Sequence, residues 1–207
     1  MSINNTHTPI LGNNYYHIYN RGNNHERIFF NNSNYDYFLS LYKKYLNGYC
    51  STLSYCLIPN HFHLLIKTND SIIVKKNSET QLTRDIEVIG KLVSEQFRRL
   101  FISYSQAIKK QESIDGNLFC RPFKRLLIDH EEYVRYLTFY IHYNPEKHDI
   151  SNDFRNYRYS SFKALIGQSK TNLDRLLLLD FFGGKEGFIE YHNYYHEEKE
   201  YFTDDIP

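Results

Sequence analysis

Residues 49–58 (YCSTLSYCLI) and 61–68 (HFHLLIKT) are two runs rich in apolar, aromatic and β-branched residues, parted only by Pro59 and Asn60. So short a connection joins antiparallel neighbours, because a parallel crossover needs a dozen residues or more. The chain must therefore build a sheet, and the segments around these runs must cover it. Side chains alternate between faces along a strand, so Phe62, Leu64 and Ile66 point one way while His61 and His63 stand side by side on the other. The apolar set belongs under helices; the two imidazoles are expected on an open face.

The flanking segments supply the rest of the order. Residues 14–22 (NYYHIYNRG) alternate, with Tyr15, His17 and Tyr19 on one face and Tyr16, Ile18 and Asn20 on the other, which predicts a strand. Residues 32–48 carry Tyr35, Phe38, Leu39, Tyr42, Tyr45 and Leu46 at helical spacing, with Ser33 or Asn34 as N-cap and Gly48 as the stop. A second helix is expected over about 84–111, preceded by a loop. Residues 118–128 (LFCRPFKRLLI) read as a strand or strand pair interrupted by Pro122. A third helix starts at DHEEY, where Asp129 and Glu132 have capping-box spacing, and runs toward Pro145. The order β, α, β, β, α, β, α is that of a split βαβ sandwich, an α+β chain with helices on one face of an antiparallel sheet. The last stretch, LLLLDFFGGKEGFIEYHNYYHEEKEYF, is expected to form one or two helices broken at Gly183-Gly184.

With 41% hydrophobic and 24% charged residues among 207, the chain fits one globular domain with some appended structure. It has no charged-then-apolar leader and no apolar run near the roughly 18 residues that span a bilayer, so a soluble, cytoplasmic protein is expected, with no membrane partner. Three cysteines without a C-x-x-C pair argue against a disulfide framework or a zinc knuckle. The net charge of +1 argues against nonspecific coating of nucleic acid. The charge is uneven, however. Lys91, Arg98, Arg99, Lys109, Lys110, Arg121, Lys124 and Arg125 make a basic middle, and Glu186, Glu190, Glu197, Glu198, Glu200, Asp204 and Asp205 an acidic end. A basic middle suits phosphate, and Arg98, Arg99, Arg121, Lys124 and Arg125 are the candidate DNA contacts, with Phe119 and Phe123 able to stack on bases. Solvated helix faces would carry the same charges.

Two neighbouring imidazoles repel once both are protonated, so the pair is costly unless a cation or an anionic ligand lies between them. Two surface histidines without a ligand are the other reading of a bare H-x-H. In YLTFYIHYNP, Tyr140 and Asn144 are four residues apart and share a helix face. Two imidazoles and a carboxamide oxygen leave open positions on Mg²⁺ or Mn²⁺ for phosphate oxygens, with Tyr140 as the nucleophile. Tyr143 points about 100° away from Asn144, and Tyr136 lies a further turn off.

YHIYNRGN, YCLIPNHFHLLI, LFCRPFKR followed by DHEEY, YIHYNPEKH and YRYSSFKAL occur in the order seen in REP-associated tyrosine transposases, of the single-tyrosine HUH (His-hydrophobic-His) superfamily, which the chain resembles from about residue 14 to 166. The resemblance implies a ferredoxin-like HUH-endonuclease-type domain over 1–166, with 167–207 a helical and acidic C-terminal extension. It implies that His61 and His63 bind a divalent metal (Mg²⁺ or Mn²⁺), that Asn144 is a further ligand, and that Tyr140 is the catalytic nucleophile. The implied activity is cleavage and rejoining of single-stranded DNA at hairpin or inverted-repeat sequences through a 5′-phosphotyrosine, by a nucleoid-associated monomer or homodimer. Two rival classes are a catalytically silent hairpin-binding regulator and a metal-dependent hydrolase, for which His142 or His148 would be the base.

Overall fold

The computed structural model describes residues 7–76 and 79–198. In chain order these form β1 (Tyr15–Arg21), α1 (Asn32–Leu46), β2 (Cys50–Ile58), β3 (His61–Thr68), β4 (Ile72–Lys76) and β5 (Glu79–Thr83). There follow α2 (Ile86–Glu112), β6 (Lys124–Ile128), α3 (Glu131–Lys147), α4 (Phe162–Ile166), α5 (Arg175–Asp180) and α6 (Lys185–Glu197). The main sheet runs β2-β3-β1-β6 with every neighbouring pair antiparallel, the ferredoxin-like order, while β4 and β5 pair as a separate hairpin. The fold class is therefore the α+β antiparallel sheet with helices that the sequence implies.

The helices differ from expectation in where they lie. Tyr16, Ile18, Phe62, Leu64 and Ile66 pack under α1 and α2, with Phe38, Phe97, Leu100 and Tyr104. On the histidine face, Leu53, Leu65 and Ile128 pack under α3 through Leu137 and Ile141, and Phe162, Leu178 and Phe188 of the C-terminal helices extend that core. Helices thus cover both faces rather than one. The reason is in the alternation itself: the position after His61 and His63 on their face is Leu65, which needs burial as much as Phe62 does.

Local chemistry accounts for other differences. The N-cap of α1 is Asn31, not Ser33 or Asn34: its Oδ1 accepts from Asn34 N at 3.2 Å while Asn34 Oδ1 accepts from Asn31 N at 3.3 Å and Phe30 N at 2.9 Å. Gly48, at φ +83°, provides the stop. The segment ahead of α2 is the β4–β5 hairpin rather than a loop. Its cross-strand pair Ile73 and Leu82 is exposed while Ile72 is buried, so apolar residues stand on both faces and no alternation marks the strands. Only Lys124–Ile128 of the 118–128 segment is a strand; Phe119 instead bridges to Gly22. The N-cap of α3 is His130 without a side-chain bond, so no Asp129/Glu132 capping box forms. Pro145 lies inside α3, so Asn144 keeps its place on the helix, and only the Ile141 carbonyl loses its N–H partner. Near the C-terminus the chain turns at Gly183 and Gly184, both at positive φ, between α5 and α6. Of the acidic run, Glu200, Asp204 and Asp205 lie outside the described residues.

A buried hydrogen-bond chain clamps α3 to the C-terminal helix. His192 Nδ1 donates to Phe188 O at 2.8 Å, so its Nε2 accepts from His142 Nδ1 at 2.9 Å, and His142 Nε2 in turn accepts from Ser161 Oγ at 2.8 Å. Ser161 Oγ accepts from Tyr55 N of β2 at 2.9 Å. Every proton has a place when both imidazoles are neutral, and burial depresses both pKa values, that of His192 to about 3. His142 is fully buried and committed to this chain, which removes it as a hydrolytic base.

Burial likewise lowers His17 to about 3, His61 to about 4 and His63 well below the usual value. A histidine held neutral in the fold takes up protons more readily in the unfolded chain, so its contribution to stability is complete above about pH 6.5 and is lost as pH falls toward the folded value. Thermal melts should show a level midpoint between about pH 7 and 8 and a steep fall between about pH 6.5 and 4. A midpoint unchanged down to pH 4.5 would contradict the neutral burial of these histidines.

Candidate metal and nucleophile site

The sheet register sets His61 opposite Arg21 and His63 opposite Tyr19 on the first strand. Across this end of the sheet lies α3, whose pitch stacks Asn144 one turn beyond Tyr140 on the face turned to the histidines. Asn144 is fully buried, and its Nδ2 donates to Tyr140 O at 3.0 Å, which turns its Oδ1 toward His61. His61 Nε2 lies 3.0 Å from that oxygen. The Tyr140 ring meets the His63 ring edge to face at 5.5 Å between centroids, and His63 meets His61 the same way at 5.1 Å. His61, His63, Tyr140 and Asn144 are thus brought together by one strand and one helix.

With both amides turned as they are, the proton count at His61 is one short. Desolvation, with smaller repulsion from His148, Arg21 and Lys147, outweighs the Asn144 contact and lowers its pKa to about 4. The ring is therefore neutral near pH 7 and has a single N–H. Both ring nitrogens nevertheless face carboxamide oxygens: Nδ1 faces Asn60 Oδ1 at 2.8 Å and Nε2 faces Asn144 Oδ1 at 3.0 Å. If the proton serves the shorter contact, the Nε2 lone pair points at an oxygen lone pair. Two ligands on adjacent corners of an octahedral Mg²⁺ or Mn²⁺, each about 2.1 Å from the ion, are separated by about 3.0 Å. The donor atoms therefore fit a hard divalent cation, with Asn60 holding the imidazole tautomer from behind. His63 bonds through Nδ1 to His17 Nε2 at 2.8 Å, which leaves its Nε2 as the ring nitrogen open to a ligand.

Tyr140 is buried, with the Lys147 ammonium 5.2 Å from its ring centroid. Tyr143 stacks instead on Phe139 at 5.5 Å and meets Phe154 and His196, and Tyr136 lies against Tyr133 and Tyr195. Both face the C-terminal helices, away from His63.

The basic residues separate into three groups. Lys124 lies opposite Tyr19, on the histidine face, with its ammonium 5.5 Å from the Tyr19 ring centroid. Arg98 and Arg121 border a cavity of about 790 Å³ between α2 and residues 116–123, with Lys109, Phe101, Phe119 and Phe123 in its wall. Arg98 and Arg99 both pair with Glu95, at 2.7 and 3.1 Å. Arg125 is tied down on the opposite face: its Nε donates to Thr8 O at 2.7 Å and its guanidinium lies 5.2 Å from the Phe123 ring centroid.

Three residues at the site escape the sequence reading, His17, Asn60 and Lys147, and His148 enters it only as the base of a hydrolase. His148 is exposed, with its ring 4.8 Å from that of His61. His17 carries a usable signal, since it alternates with Tyr19 on the face that Tyr15 shares. Asn60 follows Pro59 in the turn and gives none.

Among solved structures, the chain is similar to a REP-associated tyrosine transposase bound to a REP hairpin, with a TM-score of 0.51 over 81% of this chain and 91% of that one, at 15% identity. No protein-family model matches the chain, and no curated protein matches it in sequence. The fold is thus that of a REP-associated tyrosine transposase, the family that the motifs resemble. Among the described residues no helix is long and apolar enough to cross a membrane.

The different surroundings of Arg121 and Arg125 separate two roles. Arg121→Ala should lower the salt dependence of DNA binding by about one unit of slope, as for one lost phosphate contact. Arg125→Ala should leave that slope unchanged and lower the melting midpoint, because its guanidinium is spent inside the fold. Equal slopes for wild type and Arg121→Ala in a salt titration would move the DNA path off the cavity.

Proposed function

We propose that the protein cleaves and rejoins single-stranded DNA beside hairpin-forming repeats, with Tyr140 as the nucleophile. The observation that supports this most is the meeting of a buried phenol, two imidazoles and a carboxamide oxygen at one end of the sheet, with His61 and Asn144 at the spacing of adjacent metal ligands. A likeness in fold to a transposase solved with a REP hairpin supports it further.

Tyr140 Oη attacks the phosphorus of a backbone phosphodiester; the new O–P bond forms as the bond from phosphorus to the 3′-oxygen breaks. The phenolic proton passes to solvent and the 3′-oxygen leaves as a hydroxyl. His61, His63 and Asn144 would hold a Mg²⁺ or Mn²⁺, which would supply neutralisation of charge on the phosphate. Lys147, over the Tyr140 ring, places a fixed positive charge beside the developing phenolate. The 5′-phosphotyrosine conserves the energy of the broken bond, so attack by a 3′-hydroxyl in the reverse sense rejoins a strand. Lys124 flanks the histidines, and the basic, aromatic-walled cavity suits the strand beyond them. In this reading Tyr140 acts with His61, His63 and Asn144 of its own chain. Residues 1–166 form the transposase domain and 167–207 its C-terminal extension, whose α6 braces the catalytic helix, and the protein works in the cytoplasm at the nucleoid.

Tyr140→Phe removes only a hydroxyl, so its unfolding free energy should stay within about 1 kcal/mol of wild type while the covalent adduct with hairpin-flanked single-stranded DNA disappears. Tyr143→Phe should keep the adduct, read as a shifted band on a denaturing gel. Adduct formation by Tyr140→Phe would exclude this nucleophile, and hairpin binding without any adduct in wild type would favour a silent regulator.

A further inference from the structure

His17 lies on the first strand, fully buried, and is not among the residues read above as ligands or nucleophile. Its Nε2 is 2.8 Å from His63 Nδ1. The two rings are within 21° of parallel, with centroids 5.0 Å apart, so they lie edge to edge along a nearly straight N–H···N bond instead of face to face. The Tyr19 ring stacks on His17 at 4.4 Å and holds its plane. The other ring nitrogen of His17, Nδ1, is buried with no hydrogen-bond partner.

A neutral pair has two ring protons for four nitrogens, and one proton must occupy the bond between the rings. In one arrangement His17 donates from Nε2; the His63 proton then sits on its own Nε2 and closes the nitrogen that faces the site. In the other, His63 donates from Nδ1, its Nε2 lone pair is free, and the His17 proton moves to the partnerless Nδ1. An unpaired buried lone pair is tolerated more easily than an unpaired buried N–H, so the arrangement that rejects a cation is the one the pair prefers by itself.

We propose that His17 is the positioning residue that opens His63 to the metal: on binding, both imidazoles exchange tautomers, His63 Nδ1–H donates to His17 Nε2, and His17 carries its proton on Nδ1. No proton is gained or lost by the pair, and no bond to carbon changes. This rests on the reading of His63 as a metal ligand given under Proposed function. The acceptor of His17 then does for His63 what Asn60 does for His61, and loss of such a partner weakens metal binding by about 10- to 100-fold.

The test uses Mn²⁺ and Mg²⁺ with the full chain, without DNA. Free Mn²⁺ followed by electron paramagnetic resonance should show at least about 10-fold weaker uptake by His17→Phe, which keeps a ring against Tyr19 but has no acceptor. His17→Gln retains an acceptor oxygen near the Nε2 position and should restore uptake to within about threefold of wild type. Should His17→Phe not fold, ¹⁵N-histidine spectra of wild type with Mg²⁺ decide: His63 protonated at Nδ1 and His17 at Nδ1 support the proposal, while His63 protonated at Nε2 in the Mg²⁺-saturated protein overturns it. Folded His17→Phe with wild-type uptake also overturns it and leaves the metal reading standing. No Mn²⁺ uptake by wild type overturns both.

Discussion

The site depends on one contact, the 3.0 Å between His61 Nε2 and Asn144 Oδ1, across the seam where α3 meets the sheet. A neutral imidazole set between two amide oxygens has one proton for two acceptors. Such a deficit in a half-buried site carries an electrostatic cost that a divalent cation cancels. The cost is enforced from several sides. Asn60 fixes one nitrogen of His61, the Tyr140 carbonyl fixes the amide of Asn144, and burial keeps His61 from picking up a second proton.

That contact can persist only if α3 cannot slide, and the rest of the fold supplies the restraint. Leu137 and Ile141 seat the helix on Leu53 and Leu65, and the His142–His192 bond fastens it to α6 from behind. Burial keeps both histidines neutral and the bond chain is satisfied in that state, so packing, pH stability and site geometry are linked. The C-terminal helices, with their run of aromatic residues, are thus part of the core that holds Tyr140 against His63. The same helix periodicity turns Tyr143 into that core and Tyr136 toward Tyr195, which leaves Tyr140 as the tyrosine of α3 that meets His63.

Much of this was legible in the residues. Alternation in HFHLLIKT put His61 and His63 on one face, and the four-residue spacing of Tyr140 and Asn144 put them on one side of a helix. The strand order followed from turn signals and periods. What was not legible depends on contacts distant in sequence. The cover over the histidine face follows from Leu65 only once α3 is known to land there. His17 reaches His63 through a register set by the β1–β3 pairing. Arg125 resembled Lys124 as a basic residue, yet their alternation sends one to the histidine face and the other to the N-terminal segment. The β4–β5 hairpin buries Ile72 but leaves Ile73 and Leu82 in solvent, so apolar residues on both faces hid its alternation.

The most direct test of the central contact is anomalous diffraction from crystals soaked in Mn²⁺. A single strong peak about 2.1–2.3 Å from His61 Nε2, Asn144 Oδ1 and His63 Nε2, with the Asn144 amide still bonded to the Tyr140 carbonyl, is the result the lone-pair deficit predicts. A site without density at saturating Mn²⁺, with the Asn144 amide flipped so that its Nδ2 donates to His61, would show that the deficit is closed by the protein alone and would contradict the metal site.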